Sequence, residues 1–268
     1  IYPNLLEENI KLAFKIPAQS FGSIGALYLL AYSLFQIPLG IIVDRFGVKR
    51  VVLLSILLCA AGVAAFRFTN IFIIAQVGRV FMGLGSASAF MCALKLIADH
   101  FPPGKRGLLM GLTLTFGTMS PLLTGAFISY TAEHANWRHV LDAMILFGGG
   151  LFVLIFLLMR NEGKTEYEKQ NLPHISEVLE NVIKLIMDRN IVVYSMLAVG
   201  LYTPLSALAD VWGVSFLKQK YNLTPFIAGQ ISDMLFLGLS AGSLILPWYC
   251  EKKQIINKAL FLCLGMLF

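Results

Sequence analysis

Residues 40–50 read GIIVDRFGVKR and join two long apolar segments of the chain. Gly40 lets another helix approach closely, and Gly47 permits a tight turn. Asp44, at the end of the first segment, is placed to accept hydrogen bonds from a neighbouring helix N-terminus or to pair with a cation. The bases of the stretch are Arg45, Lys49 and Arg50. Together they predict a loop held at the anionic cytoplasmic surface of a membrane.

The composition of the 268-residue chain indicates a membrane protein. Hydrophobic residues make up 57% of it and charged residues 13%, which is too little polar material to cover a soluble fold of this size. Apolar runs long enough to cross about 30 Å of hydrocarbon as helices recur along the whole sequence. Hydropathy predicts spans at 20–43, 51–66, 71–97, 106–130, 138–160, 190–214 and 225–249, with another starting near Lys258. The predicted fold class is an all-α, multi-pass integral membrane protein.

The basic residues indicate how the chain is oriented in the membrane rather than a polyanionic partner. The formal net charge is +6, but the lysines and arginines lie in short loops between spans, so nucleic-acid binding is not expected. With residues 44–50 placed in the cytoplasm, most Lys and Arg fall on that side, as is usual for membrane proteins. The four cysteines and four histidines show no metal-ligand spacing, so neither a metal nor another cofactor is expected.

One long hydrophilic stretch divides the spans into two groups. The predicted organisation is a helical bundle at 1–160, a cytoplasmic linker with an amphipathic helix at 161–189, and a partial helical bundle at 190–268. An internal repeat at an offset of about 207 residues supports two pseudo-repeated halves. Its matched pairs are Gly22 with Gly229, Ser33 with Ser240, Asp44 with Glu251 and Arg45 with Lys252.

The stretch at 40–50 resembles the signature loop between the second and third helices of the major facilitator superfamily. RVFMGLGSA at 79–87 is similar to the family's fourth-helix arginine with its small residues, and FPPGKRG at 101–107 is similar to the next cytoplasmic loop. Trp137 and Arg138 resemble the pair that opens the sixth helix. The resemblance implies a truncated bundle of about helices 2 to 8 and the start of 9, with the first helix mostly missing. It also implies that residues 40–50 latch the cytoplasmic gate in one conformation.

Small residues inside the spans are interpreted as helix-packing positions. They are Gly83 and Gly85 in the fourth helix, and Gly117, Pro121 and Gly125 in the fifth. The antiporter pattern of the superfamily has a glycine directly before this proline, whereas here Ser120 stands there. The later copy of the signature loop, residues 247–252, keeps an acid and a base but loses both glycines. The first departure disfavours a drug antiporter, and the second argues against a tight latch in the later half.

Three of the charges inside predicted spans are candidates for contact with solute or proton, because a charge there is expensive and normally faces protein or water. They are Arg79, Asp210 and Asp233. Counted at about 1.5 Å per residue, all three lie in the outer half and are able to share one polar layer. The resemblance implies that the fourth and seventh helices line the central cavity, so we expect Arg79 to hold an anionic group or a carboxylate and Asp210 to take up a proton. A permanent structural ion pair is the alternative, and it is favoured for Asp233.

Two other charges are interpreted as locally paired. Lys95 is turned away from Arg79 on a straight helix and has Asp99 one turn later, which predicts a lysine that reaches the cytoplasmic surface beside Asp99. Asp142 has Arg138 four residues earlier and is expected to pair with it. Neither pair is predicted to contact a solute.

These features predict a secondary transporter that works by alternating access, with proton-coupled symport of a nutrient or organic anion as its specific function. The expected partners are a small-molecule solute, the lipid bilayer and a proton, for a monomer in the plasma membrane, or in the inner membrane of a bacterial cell. A drug or metabolite efflux antiporter and a non-transporting truncated remnant stay open as alternatives. An enzyme is not expected and no catalytic residue is assigned, because HExxH and clustered His and Asp patterns are missing. Direct ATP drive is disfavoured because the sequence has no GxxxxGK[ST] loop.

Overall fold

The computed structural model describes residues 6–134, 136–160, 180, 184, 187–208 and 213–252. Within these ranges the regular elements are all helical, which confirms the predicted all-α fold. The elements are α1 (Glu7–Phe14), α2 (Ala18–Phe46), α3 (Val48–Phe68), α4 (Phe72–His100), α5 (Pro103–His134), α6 (Arg138–Leu158), α7 (Arg189–Ser206), α8 (Gly213–Tyr221) and α9 (Pro225–Lys252). The span predicted near Lys258 and most of the predicted amphipathic helix lie outside the described residues.

The described helices include several that match a bilayer in length and hydropathy. Four are long and apolar enough to cross it, namely α3, α4, α6 and Ile227–Ile245 of α9. The arms of α2, Gln19–Gln36 and Pro38–Phe46, meet at 58° and make a fifth if they are one bent span. Proline has no N–H to give to the helix and its ring clashes with the preceding turn, so Pro38 explains the bend. The prediction of a multi-pass membrane protein is confirmed.

The span predicted at 190–214 covers α7 and reaches the start of α8, with residues 209–212 outside the described ranges. Helix α7 begins at Arg189 because Asp188 caps it. The Asp188 carboxylate accepts hydrogen bonds from the backbone N–H groups of Asn190 at 2.8 Å and Ile191 at 3.3 Å. A capping carboxylate satisfies donors that the first turn of a helix leaves unpaired.

Helix α1 precedes the first span that hydropathy finds. It is only eight residues long, too short to register as a span, and it carries Glu7 and Lys11 in an ion pair of 2.7 Å. Its other face buries Ile10 and Phe14. An amphipathic helix of this kind is fixed by packing rather than by its own propensity.

The chain forms two compact units. The first unit comprises Tyr2–Asp99 and Phe127–Leu172, and the second comprises His100–Ala126 and Pro173–Phe268 together with Ile1. Helix α5 therefore contributes its first three quarters to the second unit and its last turns to the first. The sequence-based division at 161–189 follows chain order instead, and it stays a prediction.

The core of the first unit consists of two apolar clusters. The cluster that includes α1 is centred on Phe66, whose ring lies 5.7 Å from that of Phe14 and 6.3 Å from that of Trp137, both in edge-to-face arrangements. The second cluster surrounds the signature loop and contains Leu39, Val43 and Val48 with their neighbours. Close packing of this kind holds membrane helices together where lipid is as apolar as the side chains.

Helices α3 and α4 touch through their backbones. A Cβ atom on Gly62 would meet the carbonyl oxygen of Gly78, and one on Gly78 would lie 2.7 Å from the carbonyl oxygen of Gly62. A Cβ atom on Gly85 would lie 2.5 Å from the carbonyl oxygen of Ser55 and 2.6 Å from Sγ of Cys59. Only glycine leaves room for so close an approach.

Candidate functional site

The signature loop turns the chain from α2 into α3 within one residue. Gly47 has φ of 81° and ψ of 155°, a left-handed region that glycine adopts without a Cβ clash. Its N–H donates to the carbonyl oxygen of Val43 at 2.9 Å. No described atom lies within 4 Å of the position that a Cβ atom on Gly40 would take. No described helix therefore approaches Gly40 closely, and this contact stays a prediction.

Asp44 of the loop pairs with a cation on α4. Nζ of Lys95 lies 2.8 Å from Oδ1 of Asp44 and 3.3 Å from Oδ2 of Asp99. The interpretation of Lys95 as the partner of Asp99 therefore agrees with the geometry, which adds a second carboxylate from another helix. Lys95 is partly exposed at 35% of its side chain, against 59% for Asp44. The three residues form a charge bridge, named here the Asp44–Lys95–Asp99 bridge, between α2 and α4.

Lys49 of the loop contacts the end of α6. Its Nζ donates to the carbonyl oxygen of Phe156 at 2.9 Å and lies 5.2 Å from the centre of the Phe156 ring. A cation is favourable there because the last carbonyl groups of a helix have no partner within it. Arg45 and Arg50 are exposed, which fits the surface role predicted for them. The loop thus contacts α4 through Asp44 and α6 through Lys49.

Arg79 lies inside α4 with only 4% of its surface exposed. Its guanidinium carbon is 5.4 Å from the centre of the Phe66 ring, and Nη1 is 3.8 Å from Sδ of Met82. A cation over an aromatic face is attracted by the ring's negative potential. The charge is therefore buried in the apolar interior of the first unit, beside α3.

The two acids predicted to join Arg79 cannot be placed beside it. Asp210 lies outside the described residues, and Asp233 is on α9 with its side chain outside them. The predicted polar layer of Arg79, Asp210 and Asp233 therefore stays a prediction.

The predicted helix-packing residues differ in their surroundings. A Cβ atom on Gly83 would lie 2.5 Å from the carbonyl oxygen of Tyr28 on α2, while Gly85 faces α3. Helix α4 is thus close to α2 on one side and to α3 on the other. At Gly117 no described atom lies within 4 Å of a Cβ position. Gly125 lies on α5, and so does Pro121, whose side chain is outside the described part.

At the other end of the first unit, α3 and α6 are joined by an ion pair that differs from the sequence prediction. Arg67 donates to Asp142 through Nε at 2.7 Å and through Nη2 at 3.1 Å, the two-point geometry that suits a carboxylate. Arg138 instead donates to the carbonyl oxygen of Thr69 at 3.3 Å and to Oδ1 of Asn70 at 2.7 Å. The prediction of an Asp142–Arg138 pair is wrong, because the rigid guanidinium fork of Arg67 reaches Asp142 from the neighbouring helix.

In the second unit, α5 and α9 meet through small hydroxyl side chains. Oγ1 of Thr118 lies 2.6 Å from Oγ of Ser240, and Oγ1 of Thr115 lies 3.1 Å from Oγ of Ser243. A Cβ atom on Gly111 would meet the carbonyl oxygen of Ser243. These five residues are named the hydroxyl seam. Sequence reasoning missed them, although the spacing of three and four residues between small polar side chains in apolar spans was a usable signal.

A comparison with protein families decides the identity of this fold. The family model described as Major Facilitator Superfamily matches residues 1–268. The chain belongs to the major facilitator superfamily. This result confirms the family that residues 40–50 and 79–87 suggested, and it agrees with a helical membrane protein.

Several proteins named as transporters or efflux pumps are similar to the chain. It is 22% identical to the hexuronate transporter of Bacillus subtilis over 264 residues, 92% of this chain and 60% of that protein. It is 26% identical to the probable galactarate/D-glucarate transporter GarP of Escherichia coli over 180 residues, 65% of this chain and 40% of that protein. It is 32% identical to the MFS-type efflux pump MFS1 of Arthroderma benhamiae over 145 residues, 52% of this chain and 26% of that protein. The matched part of each relative is less than two thirds of its length.

Proposed function

We propose that this major facilitator protein takes up a small organic anion by alternating access and that proton entry drives the uptake. Two of the relatives above are named as transporters of sugar acids, which supports an anionic solute. The proposed location is the plasma membrane, or the inner membrane of a bacterial cell, and the proposed working form is a monomer.

Burial of the Arg79 guanidinium is the observation that carries the proposal. A charged side chain within a membrane-spanning helix costs several kcal/mol and is rarely kept without a function. An arginine offers a rigid, always charged fork that matches a carboxylate. We therefore assign Arg79 to hold the carboxylate of the solute, with Asp210 as the candidate proton acceptor.

The signature loop supplies the gate in this proposal. The Asp44–Lys95–Asp99 bridge ties the end of α2 to α4 at the side assigned to the cytoplasm. Exposed ion pairs are each worth only about 0–1 kcal/mol, so this bridge is weak enough to break and re-form in each cycle. A weak latch suits a gate that must open.

Uptake of radiolabelled D-glucarate tests the proposal, with the full-length protein in proteoliposomes and a pH gradient that is alkaline inside. We expect the gradient to drive accumulation, and Arg79→Ala to lower uptake about 10- to 100-fold, as loss of a charge-assisted hydrogen bond of about 1.5–3 kcal/mol implies. Arg79→Lys should restore part of the uptake with a raised KM. The matched control, Arg160→Ala, removes an exposed arginine beyond the end of α6 and should leave uptake unchanged.

A purely structural Arg79 gives a different pattern. Arg79→Ala would then lower the thermal stability of the detergent-solubilised protein, and the variant protein that stays folded would have the wild-type KM. An uptake rate that ignores the pH gradient would contradict proton coupling while leaving the anion assignment intact.

Efflux is the second candidate, because a relative of 32% identity is named as an efflux pump. Its distinguishing result is solute exit from loaded vesicles when the gradient is reversed, with no accumulation in the uptake direction. Ser120, in the place where an antiporter pattern has glycine, disfavours it.

A further inference from the structure

Phe66 of α3 is a fully buried ring that packs with other rings and also lies against the charge of Arg79. Its side chain is 0% exposed, and Cζ of Arg79 lies 5.4 Å from the centre of the ring. The attraction between a cation and an aromatic ring is strongest where both are removed from water. The buried cation is therefore held partly by a ring on the neighbouring helix.

The orientation of the Phe66 ring is fixed from two other sides. The ring of Phe14 on α1 meets it at 62°, and the ring of Trp137 before α6 meets it at 80°. Edge-to-face pairs of this kind depend on the mutual angle of the two rings. A rotation of the Phe66 ring would therefore disturb two aromatic contacts besides the one with Arg79.

The backbones of α3 and α4 hold the ring and the guanidinium at the same level. A Cβ atom on Gly78, the residue before Arg79, would lie 2.7 Å from the carbonyl oxygen of Gly62 and 3.3 Å from the backbone nitrogen of Phe66. Helices packed so closely have little freedom to slide past each other. The contact between Phe66 and Arg79 is thus set by the packing of the two helices as well as by its own attraction.

A held guanidinium is an advantage for binding an anion. Ordering a long side chain when a ligand binds has a free-energy cost, which is avoided when the side chain is ordered beforehand. The ring attracts the charge and does not itself occupy an N–H group, while a carboxylate is recognised by the N–H groups. We propose that Phe66 is a positioning residue, which holds the Arg79 guanidinium in the orientation that binds the carboxylate of the solute. This inference rests on the proposed function.

Phe66→Leu in the full-length protein in proteoliposomes tests the inference, because it removes the ring and keeps an apolar side chain. We expect the KM for D-glucarate to rise about 2- to 10-fold, the effect of having to order one long side chain on binding, with the maximal rate unchanged. In an Arg79→Ala background, Phe66→Leu should lower the residual kcat/KM no further, since Phe66 acts through Arg79. The matched control is Phe72→Leu, which alters a ring of the same cluster that lies 6.1 Å from Phe14, and it should keep the wild-type KM.

Fluorinated phenylalanines at position 66 separate the charge of the ring from its volume. One, two or three fluorine atoms change the size of the ring little but withdraw electron density from its face, which weakens its attraction for a cation. We expect KM to rise with each added fluorine. A ring that only fills space would leave KM constant through this series, and Phe66→Leu would then lower the Tm alone. If Phe66→Leu does not fold, the fluorinated series decides the question.

Three results overturn the inference and leave the proposed transport function standing, provided that the wild-type protein takes up D-glucarate. They are a wild-type KM in Phe66→Leu, an equal effect of Phe66→Leu with and without Arg79, and a KM that ignores fluorination. Missing uptake by the wild-type protein contradicts the proposed function instead. The contact is then read without transport from the nuclear magnetic resonance signal of the Arg79 Nε–H group, which is identified by its loss in Arg79→Lys. We expect this signal to move in Phe66→Leu, and an unmoved signal overturns the inference.

Discussion

In two helix contacts of this molecule, glycine allows the helices to approach closely, but the side chains around the glycine differ. Between α3 and α4, Gly62 and Gly78 bring backbone against backbone, and buried side chains such as Val63, Phe66 and Met82 flank them. Between α5 and α9, Gly111 is followed by hydroxyl side chains that face hydroxyl side chains. The difference teaches that glycine sets how close two helices come, while the neighbouring side chains set whether they stay together.

The two contacts differ in the free energy that separating their helices would cost. Parting α3 from α4 would remove dispersion contacts of large side chains, each small but numerous, with nothing to replace them. Parting α5 from α9 would break hydrogen bonds that the hydroxyls re-form within their own helices. The first contact is therefore costly to open, whereas the second can open without leaving its hydroxyls unpaired.

The largest expected effect comes from filling the fixed contact. Gly62→Ala places a Cβ atom against the carbonyl oxygen of Gly78, so α3 and α4 must separate at a loss of about 1–3 kcal/mol. We expect a lower Tm for the detergent-solubilised protein, read from tryptophan fluorescence on heating. The control is Gly149→Ala on α6, where no described atom lies within 4 Å of the new Cβ. Equal Tm values for the two variants would contradict a tight α3–α4 contact.

Filling the seam should affect transport more than stability. Gly111→Ala drives a Cβ atom toward the carbonyl oxygen of Ser243, but α5 and α9 are able to part and their hydroxyls keep hydrogen-bond partners. We expect a smaller loss of Tm than for Gly62→Ala, together with a several-fold slower uptake of D-glucarate, because the closed form of the seam is disfavoured. A loss of Tm as large as that of Gly62→Ala would remove the distinction between the two contacts.

The sequence predicted part of the packing of α4 but not the contact between α5 and α9. Gly83 and Gly85 stood beside Arg79 in a pattern that resembles a family motif, and the structure places both against neighbouring helices. Thr118 and Ser240 have only the weak signal of small polar side chains at helical spacing, and the helix pairing brings their hydroxyl oxygens within 2.6 Å of each other. Such a contact depends on tertiary structure, which local sequence does not encode alone.

Breaking the charge bridge should loosen the loop while the fixed contact persists. Lys95→Gln removes the cation between Asp44 and Asp99, at a loss of no more than about 1 kcal/mol for each partly exposed pair. We expect a cysteine at Val48, which is only 6% exposed, to react faster with a maleimide in this variant. The control is Arg50→Gln, whose side chain is exposed. An unchanged labelling rate in Lys95→Gln would show that the bridge does not hold the loop.

The wrong prediction at Asp142 shows a limit of predicting ion pairs from sequence. Arg138 is four residues away along α6, which predicts a helical ion pair, but Arg67 of α3 makes both short contacts to this carboxylate. For Lys95, by contrast, the local partner Asp99 was found and the distant partner Asp44 was not. Sequence spacing identifies ion-pair partners on one helix, whereas an ion pair between two helices is identified only from the three-dimensional structure.

The smallest expected effect comes from removing one seam hydroxyl without changing its shape. Thr118→Val should change the free energy of unfolding by about 0.6 kcal/mol or less, the usual worth of a side-chain hydrogen bond between membrane helices. Ser240 keeps the carbonyl oxygen of Phe236 as its acceptor at 2.8 Å. Chemical denaturation in mild detergent measures the change, and a loss of several kcal/mol would mean that the hydroxyls act as a permanent fastening.

The distinction between a fixed and a moving contact is tested most directly by pulsed electron paramagnetic resonance on two spin-label pairs in the full-length protein. One pair sits at Leu57 and Phe90 on α3 and α4, and the other at Phe116 and Leu237 on α5 and α9, all at exposed positions. We predict one distance for the first pair with or without D-glucarate, and two distances for the second, whose populations shift when D-glucarate is added. A single unchanging distance for the second pair, or two distances for the first, would contradict the account.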